Sequence, residues 1–404
     1  MPLTLRIASK MQSTSKRSRS TATLVCLSIA ALCAAPSQAQ TYTLTVLGTL
    51  NGPLGNNYSF GLGVNAQGQV TGYSSLPNGN SEAILSGVNG GPLKDIGTGG
   101  SNYSQGSAVN STGQVAGYEQ NSIGAFHAFL SAPNGGALST LGSLGGHSTF
   151  ATGLNDAGQV TGISDIIGGN GGGHAFLTDP NGGALHDLGT LGGTFSSGEG
   201  VNTLGEVAGS AQTPANTPAG SSFHAFLSDP SGGALHDLGT FGGASSYGAA
   251  VNTSGQVVGE AALANGDFHA FLSSASGGVL QDLGTLGGTS SRAFGVNDLG
   301  QVVGESRTAD GSLHPFLFAG GMMTDLNSLV APGTGITLFS ASGISANGLI
   351  TGYAENSLGQ QRAYLLTPQA VPEASTTVSF GLLLILGMGG AVMTARKKKA
   401  AALA

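Results

Sequence analysis

The chain has 404 residues, of which 40% are hydrophobic and only 8% are charged, against roughly 25% charged residues in an ordinary soluble domain. This apolar composition excludes a disordered chain that is kept open by charge repulsion. Between Tyr42 and Glu373 lie four basic and 20 acidic residues, a balance of about −16, which excludes binding to the phosphate backbone of nucleic acid. Glycine is unusually frequent, at 71 residues, and indicates many turns.

The N-terminal segment has the three parts of a secretory signal. A basic stretch from Lys10 to Arg19 precedes an apolar run over 22–35, and Ser37-Gln38-Ala39 supplies the small residues of a cleavage site. We therefore predict a signal peptide over 1–39, which implies that the protein is exported. A signal anchor is the alternative, but the run is shorter than the roughly 20 residues that span a bilayer.

Residues 40–368 contain seven copies of one sequence unit, and corresponding positions are 45 to 50 residues apart. The first glycine of the recurring pattern V-N-x-x-G-Q-V-x-G is Gly68, Gly113, Gly158, Gly205, Gly255, Gly300 and Gly348. The second pattern, His-Ala-Phe-Leu, begins at His127, His174, His224 and His269, and the corresponding residues of the other copies are Glu82, His314 and Arg362. A third pattern, L-x-D-L-G-T-L-G-G, follows in several copies. Such a period is typical of a repeat architecture.

Each unit offers four short β-type segments that are separated by turn residues. In the sixth copy we assign them to 293–296, 301–305, 313–318 and 322–326. The Asn-x-x-Gly between the first two is typical of a tight hairpin whose glycine has a positive φ. Four antiparallel strands at this period predict one blade of a β-propeller.

The two ends of the repeat array complement each other. Residues 42–50 match only the fourth strand of a unit and the turn after it, whereas the last copy stops after 362–366 and lacks a fourth strand. We therefore predict an all-β fold, a seven-bladed β-propeller of four-stranded antiparallel blades that the N-terminal strand closes. A closed ring leaves no open terminal sheet edge. An open solenoid is the alternative.

The three repeat patterns together resemble those of the HAF-repeat extracellular family. The resemblance rests on His-Ala-Phe-Leu, Asp-Leu-Gly-Thr-Leu-Gly-Gly and V-N-x-x-G-Q-V, and it covers most of residues 42–366. It implies an extracellular repeat protein and names no activity.

The recurring histidines and aspartates are interpreted as parts of the scaffold. A closed ring would place one histidine in each blade, far from the others, whereas metal ligands must converge within a few ångströms. The aspartates of the third pattern fit a side chain that accepts a hydrogen bond from the following turn. They are Asp95, Asp187, Asp237, Asp282 and Asp325, with Thr140 at this place in one copy.

The loop between the second and third strands of a blade lies on the same face as the connection to the next blade. This loop varies in length, with insertions within 165–173 and 210–222, and loops that tolerate insertion are available for binding. The connections each contribute an aromatic residue, and we name these as candidates for a ligand-binding face: Tyr58, Tyr103, Phe150, Phe195, Tyr247, Phe294 and Phe339. Two roles are open, packing between blades and stacking against a sugar or polymer.

The sequence contains no G-x-S-x-G elbow, P-loop, His-Glu-x-x-His helix or Cys-x-x-Cys pair. Scattered carboxylates could still form a hydrolase or lyase site, but no set of them stands out. We therefore predict no catalytic residue, no metal site and no cofactor, and a protein that is not an enzyme.

The C-terminal segment, 369–404, has the pattern of a membrane anchor. An uncharged apolar stretch over 376–395 has the length of a transmembrane helix, and Arg396, Lys397, Lys398 and Lys399 follow at once. Basic residues stay in the cytoplasm, so the repeats would lie outside. Val371, Pro372 and Glu373 precede the helix, and this three-part order resembles the PEP-CTERM sorting signal of Gram-negative bacteria, although Ala374 stands where many members have Pro. The resemblance implies processing by an exosortase, a membrane transpeptidase, in a host that makes exopolysaccharide.

These features favour a membrane-anchored precursor that reaches the cell surface or the extracellular matrix. The first hypothesis is a binding module for exopolysaccharide or for surface proteins. The second is a propeller enzyme that cleaves extracellular glycan, and the third is a structural surface-layer component.

Overall fold

The computed structural model describes residues 40–51, 57–97, 102–168, 172–214 and 222–369. Within these ranges the chain forms seven four-stranded antiparallel sheets and three short 3₁₀ turns, Val88–Gly90, Ala275–Gly277 and Leu326–Leu329. No helix in these ranges is long and apolar enough to span a membrane. The predicted signal peptide over 1–39 and the predicted helix over 376–395 lie outside the described residues.

The strands follow one another in chain order, four to a blade. The first strand of the chain is β1 Tyr42–Val46. Blade 1 consists of β2 Ser59–Val64, β3 Val70–Ser75, β4 Ser81–Ser86 and β5 Leu93–Asp95. Blade 2 consists of β6 Ser104–Val109, β7 Val115–Gln120, β8 Phe126–Ser131 and β9 Leu138–Thr140. Blade 3 consists of β10 Gly145–Leu154, β11 Val160–Ile166, β12 Gly173–Thr178 and β13 Leu185–Asp187. Blade 4 consists of β14 Ser196–Val201, β15 Val207–Gln212, β16 Phe223–Ser228 and β17 Leu235–Asp237. Blade 5 consists of β18 Gly242–Val251, β19 Val257–Leu263, β20 Phe268–Ser273 and β21 Leu280–Asp282. Blade 6 consists of β22 Gly287–Val296, β23 Val302–Thr308, β24 Leu313–Ala319 and β25 Met322–Asp325. Blade 7 contains β26 Ile336–Ile344, β27 Ile350–Asn356 and β28 Gln361–Pro368.

The N-terminal strand completes blade 7, as the sequence predicts. Strand β1 pairs antiparallel with β28, with Tyr42 opposite Pro368 and Val46 opposite Tyr364. The first strands of successive blades contact one another around the ring, and β2 of blade 1 contacts β26 of blade 7. The ring is therefore closed, which confirms the propeller and excludes the open solenoid. In blade 6 the first strand is longer than predicted, because β22 already begins at Gly287.

The asparagine of each Asn-x-x-Gly hairpin joins neighbouring blades. Two backbone N–H groups of its own turn donate to Oδ1 of Asn155, and its Nδ2 donates to the carbonyl oxygen of Asn202 in the next blade at 2.8 Å. The same bond to the next blade is made by Asn65, Asn110, Asn202, Asn252 and Asn297. Ser345 replaces the asparagine in blade 7, where Asn347 instead donates to the carbonyl oxygen of Ala66 in blade 1 at 3.0 Å. The hydrogen bonds thus run around the whole ring.

The apolar residues of the His-Ala-Phe-Leu pattern fill the space between blades. Ala175 and Phe176 of blade 3 are fully buried, and Phe176 belongs to a cluster with Ala128 and Leu130 of blade 2. The equivalent large side chains are also fully buried: Ile84, Phe129, Phe226, Phe271, Phe316 and Tyr364. Burying one such side chain stabilises the fold by about 1.5–3 kcal/mol. The core is therefore distributed over seven interfaces between blades.

Candidate functional site

The propeller has two faces with different loops. We call the face with the inter-blade connections and the loops between second and third strands the connection face. The opposite, hairpin face has the turns between first and second strands, whose glycines have positive φ, as Gly158 does at 73°. The sequence predicts this hairpin geometry correctly. The connection face contains most of the aromatic side chains that are partly exposed.

Nine aromatic rings form a continuous array on the connection face of blades 7, 1, 2 and 3, which we call the aromatic surface. Its members are Phe339, Tyr353, Tyr58, Phe60, Tyr73, Tyr103, Tyr118, Phe126 and Phe150. The array crosses from blade to blade: the ring centroids of Phe60 and Tyr353 are 4.9 Å apart, and those of Tyr118 and Phe150 are 5.0 Å apart. Every ring is only partly buried. The rings therefore pack between blades and also present apolar area to solvent.

A second, smaller aromatic group lies on blades 4 and 5. Phe223 stacks on Tyr247 across the blade boundary with centroids 6.1 Å apart, and it also contacts Phe195 of its own blade. Phe268 completes the group through Tyr247, which is 36% exposed. Blade 6 differs, because Arg292 occupies the position that Tyr247 has in blade 5.

Six of the seven aromatic residues named from the sequence take part in these two groups. The seventh, Phe294, lines the central cavity instead, because it stands two positions further along its strand than Tyr247 does. Phe60 and the rings that come from second and third strands were not predicted from the sequence. Two recurring signals could have found them: a tyrosine directly after the second conserved glycine, at Tyr73, Tyr118 and Tyr353, and a phenylalanine directly before His-Ala-Phe-Leu, at Phe126, Phe223 and Phe268.

Burial raises the pKa of four tyrosine hydroxyl groups of the aromatic surface. It raises the pKa of Tyr73, Tyr103, Tyr118 and Tyr353 above the ordinary value, and neighbouring acidic and tyrosine side chains raise three of them further. Tyr103 Oη donates to Oε1 of Gln105 at 2.7 Å. At neutral pH the surface thus offers rings and neutral hydroxyl groups.

A cavity of about 790 Å³ lies at the ring axis and is lined by the first strands of all seven blades. Its charged lining residues are Glu199, Glu260 and Arg292. Arg292 Nε is 3.0 Å from Oε2 of Glu260, and its guanidinium carbon is 5.9 Å from the centroid of the Phe294 ring. Burial raises the pKa of Glu199, whose Oε1 accepts a hydrogen bond from Ser197 at 2.7 Å. The cavity therefore combines carboxylates, one guanidinium and aromatic walls.

The recurring histidines pair with the recurring aspartates. Nδ1 of His174 is 2.9 Å from the carboxylate of Asp187, and the backbone N–H of Gly189 donates to the same carboxylate at 2.7 Å, which is the predicted turn bond. The same pairing joins His224 to Asp237, His269 to Asp282 and His314 to Asp325. His127 instead contacts Asn121, since Thr140 stands in the place of the aspartate. Each pair joins the third and fourth strands of one blade, and no three potential metal ligands converge in the described ranges.

No protein-family model and no curated protein matches the chain. The fold is similar to that of the acylaminoacyl peptidase from Pyrococcus horikoshii, with a TM-score of 0.52 and 11% identity over 81% of this chain and 54% of that one. TolB from Acinetobacter baumannii is 12% identical with a TM-score of 0.43, over 75% of this chain and 64% of that one. A structure of prolyl endopeptidase is 11% identical with a TM-score of 0.49, over 78% and 51% of the two chains. The chain thus spans 64% of TolB and about half of each peptidase.

These similarities correct one prediction. The prediction that the protein is not an enzyme is wrong, because the acylaminoacyl peptidase has a similar fold, so a propeller without a familiar catalytic motif does not place a chain outside the enzymes. At 11% identity the likeness to the acylaminoacyl peptidase shows the fold and transfers no activity.

Proposed function

We propose that this protein is an exported surface protein that binds a polysaccharide through the connection face of its propeller. The observation that carries the proposal is the aromatic surface, a continuous array of partly exposed rings across four blades. Aromatic rings present large, rigid, apolar faces with polar edges, and the flat apolar face of a sugar ring can stack on them. An array longer than one ring suits a polymer better than a small molecule.

Two further features bear on what the connection face can bind. Large apolar side chains at the tips of three of its loops, Ile123, Ile167 and Leu358, are exposed in blades 2, 3 and 7. These side chains add exposed apolar area to the connection face. The strongly acidic composition opposes an anionic polymer by charge repulsion. The proposed ligand is therefore an uncharged or amine-bearing polysaccharide.

The binding test compares Tyr118→Ala and Tyr247→Ala with the unchanged protein on exopolysaccharide from the producing bacterium. We expect the full-length chain to be retained and each variant to bind about five- to tenfold more weakly, since each loses one stacking ring. Leu299→Ala is the control, because this exposed side chain lies on the hairpin face. Equal retention of all four proteins would contradict the proposal, and thermal unfolding measured in parallel identifies any variant that fails to fold.

The proposal includes the C-terminal segment as a sorting signal. We propose that Val371, Pro372 and Glu373 direct processing by an exosortase, and that residues 376–395 with Arg396 to Lys399 hold the precursor in the membrane. Deleting 371–404 is expected to release the propeller into the medium, which immunoblotting of membrane and medium fractions measures. Retention of the truncated chain in the membrane fraction would contradict this role.

A second candidate function is cleavage of the same glycan. It is favoured by a carboxylate in the cavity, because burial raises the pKa of Glu199 and a raised carboxyl pKa suits a general acid. New reducing ends or unsaturated products after incubation of the full-length chain with exopolysaccharide would assign this activity. A polymer that is bound and recovered unchanged would count against it.

A further inference from the structure

The central cavity opens unevenly towards the connection face. Near that face its lining comes from blades 4 to 7, through Ser210, Tyr247, Glu260, Arg292 and Ser340. In blades 1 and 3 the positions equivalent to Tyr247 carry phenylalanines, which belong to the aromatic surface and do not line the cavity. The volume of about 790 Å³ lies within the range of small-molecule sites. A polymer on the aromatic surface would therefore lie beside an opening that can admit one or more of its sugar residues.

The lining of the cavity carries an excess of negative charge. Glu199 and Glu260 line the cavity, and Glu305, the cross-strand neighbour of Arg292, lies outside the lining. The single guanidinium, that of Arg292, is already paired with Glu260. Burial raises the pKa of Glu199, and a cation in the cavity would favour its ionised form. Two lining carboxylates against one guanidinium thus leave one carboxylate, that of Glu199, for a positive group.

The aromatic walls suit a cation as well. The ring of Phe294 already interacts with the guanidinium of Arg292 at 5.9 Å, so its face is oriented towards a positive charge. The ring of Tyr247, 36% exposed, stands at the opening. Aromatic faces attract ammonium groups as well as guanidinium groups. Carboxylates and rings together are a recognised combination for binding an amine.

We propose that the central cavity binds the protonated amino group of an amino-sugar residue, so that the glycan held by the aromatic surface is an amine-bearing one. This inference rests on the proposed function, which supplies the class of ligand, a polysaccharide. It adds that the bound sugar residue is positively charged. The ammonium group donates a hydrogen bond to the carboxylate of Glu199, which is not paired with Arg292, while the sugar ring stacks on Tyr247. The aromatic surface supplies most of the contact area, and the cavity supplies the preference for the free amine.

Calorimetric titration of the full-length chain with two matched ligands tests the inference. The probes are the pentasaccharide of glucosamine and its fully N-acetylated form, at slightly acidic pH and low salt. We expect the free amine to bind about tenfold more tightly, since a charge-assisted hydrogen bond is lost on acetylation. Glu199→Gln is expected to reduce this preference to less than about twofold. Glu260→Gln is expected to reduce it as well, because it leaves the guanidinium of Arg292 unpaired in the cavity. Leu299→Ala, on the hairpin face, should leave both affinities unchanged.

The outcomes separate this inference from the proposal on which it rests. Equal affinity for the two pentasaccharides would overturn the amine site and leave polysaccharide binding intact. Binding of the exopolysaccharide without binding of either pentasaccharide would also overturn only the amine site. If the chain binds neither the exopolysaccharide nor either pentasaccharide, the proposed function is contradicted as well. A lysine pentapeptide that binds as tightly as the glucosamine pentasaccharide would also overturn the inference, because the site would then select amines without selecting sugars.

Discussion

Replacing Gly162 by alanine is expected to destabilise the propeller by at least about 3 kcal/mol. A Cβ at this position would overlap the backbone carbonyl oxygen of Phe150 on the neighbouring strand. Gly162 pairs with Ala151, directly beside the β-bulge between Ala151 and Gly153. Backbone cannot move aside as a flexible side chain can, so the strands would have to separate. Urea unfolding of the full-length chain, followed by circular dichroism, measures the loss.

The matched control is Gly142→Ala in the same part of the chain. Its Cβ would have one neighbour, Leu185 Cδ1, at 3.9 Å, which is an ordinary contact. We expect its free energy of unfolding to stay within about 0.5 kcal/mol of the unchanged protein. If both variants unfold at the same urea concentration, the close approach at Gly162 has no energetic consequence. The same crowding occurs at the other six second glycines of the repeat: Gly72, Gly117, Gly209, Gly259, Gly304 and Gly352.

A disulfide between residues 43 and 367 is expected to lock the ring. Thr43 and Thr367 face each other in the β1 to β28 pair, and both are exposed. Facing residues of antiparallel strands have Cα atoms about 4.5–5.5 Å apart, which a disulfide can bridge. Because the bridge would close a loop that contains almost the whole propeller, it should stabilise the fold by roughly 4 kcal/mol.

The double variant Thr43→Cys/Thr367→Cys is best made with Cys26 and Cys33 replaced by serine, since these are the other cysteines of the chain. Thermal unfolding before and after reduction measures the gain, and the single variant Thr43→Cys is the control. Thiols that stay free under oxidising conditions would mean that the two strands do not meet in solution. The closure of blade 7 would then be wrong.

The sequence by itself determined the repeat, the number of blades and the way the ring closes. These follow from local chemistry that recurs in each copy: the Asn-x-x-Gly turn needs a positive φ at glycine, and the buried Ala and Phe of the third strand need a partner sheet on both sides. Closure could be predicted because a single unpaired strand at one end matches the strand that is missing at the other. The aspartate turn bonds were predicted for the same reason, since they join residues two positions apart.

Only the tertiary structure decided which side chains meet on the connection face. Phe60 contacts Tyr353, almost 300 residues away in the chain, because blades 1 and 7 are neighbours in a closed ring. Phe294 lines the cavity while Tyr247 stands at its opening, a difference of two positions along a strand that spacing within one repeat does not resolve. Contacts between blades depend on the rotation from one sheet to the next and on the bulge in each first strand. A sequence pattern records neither, so it predicted the scaffold more fully than the site.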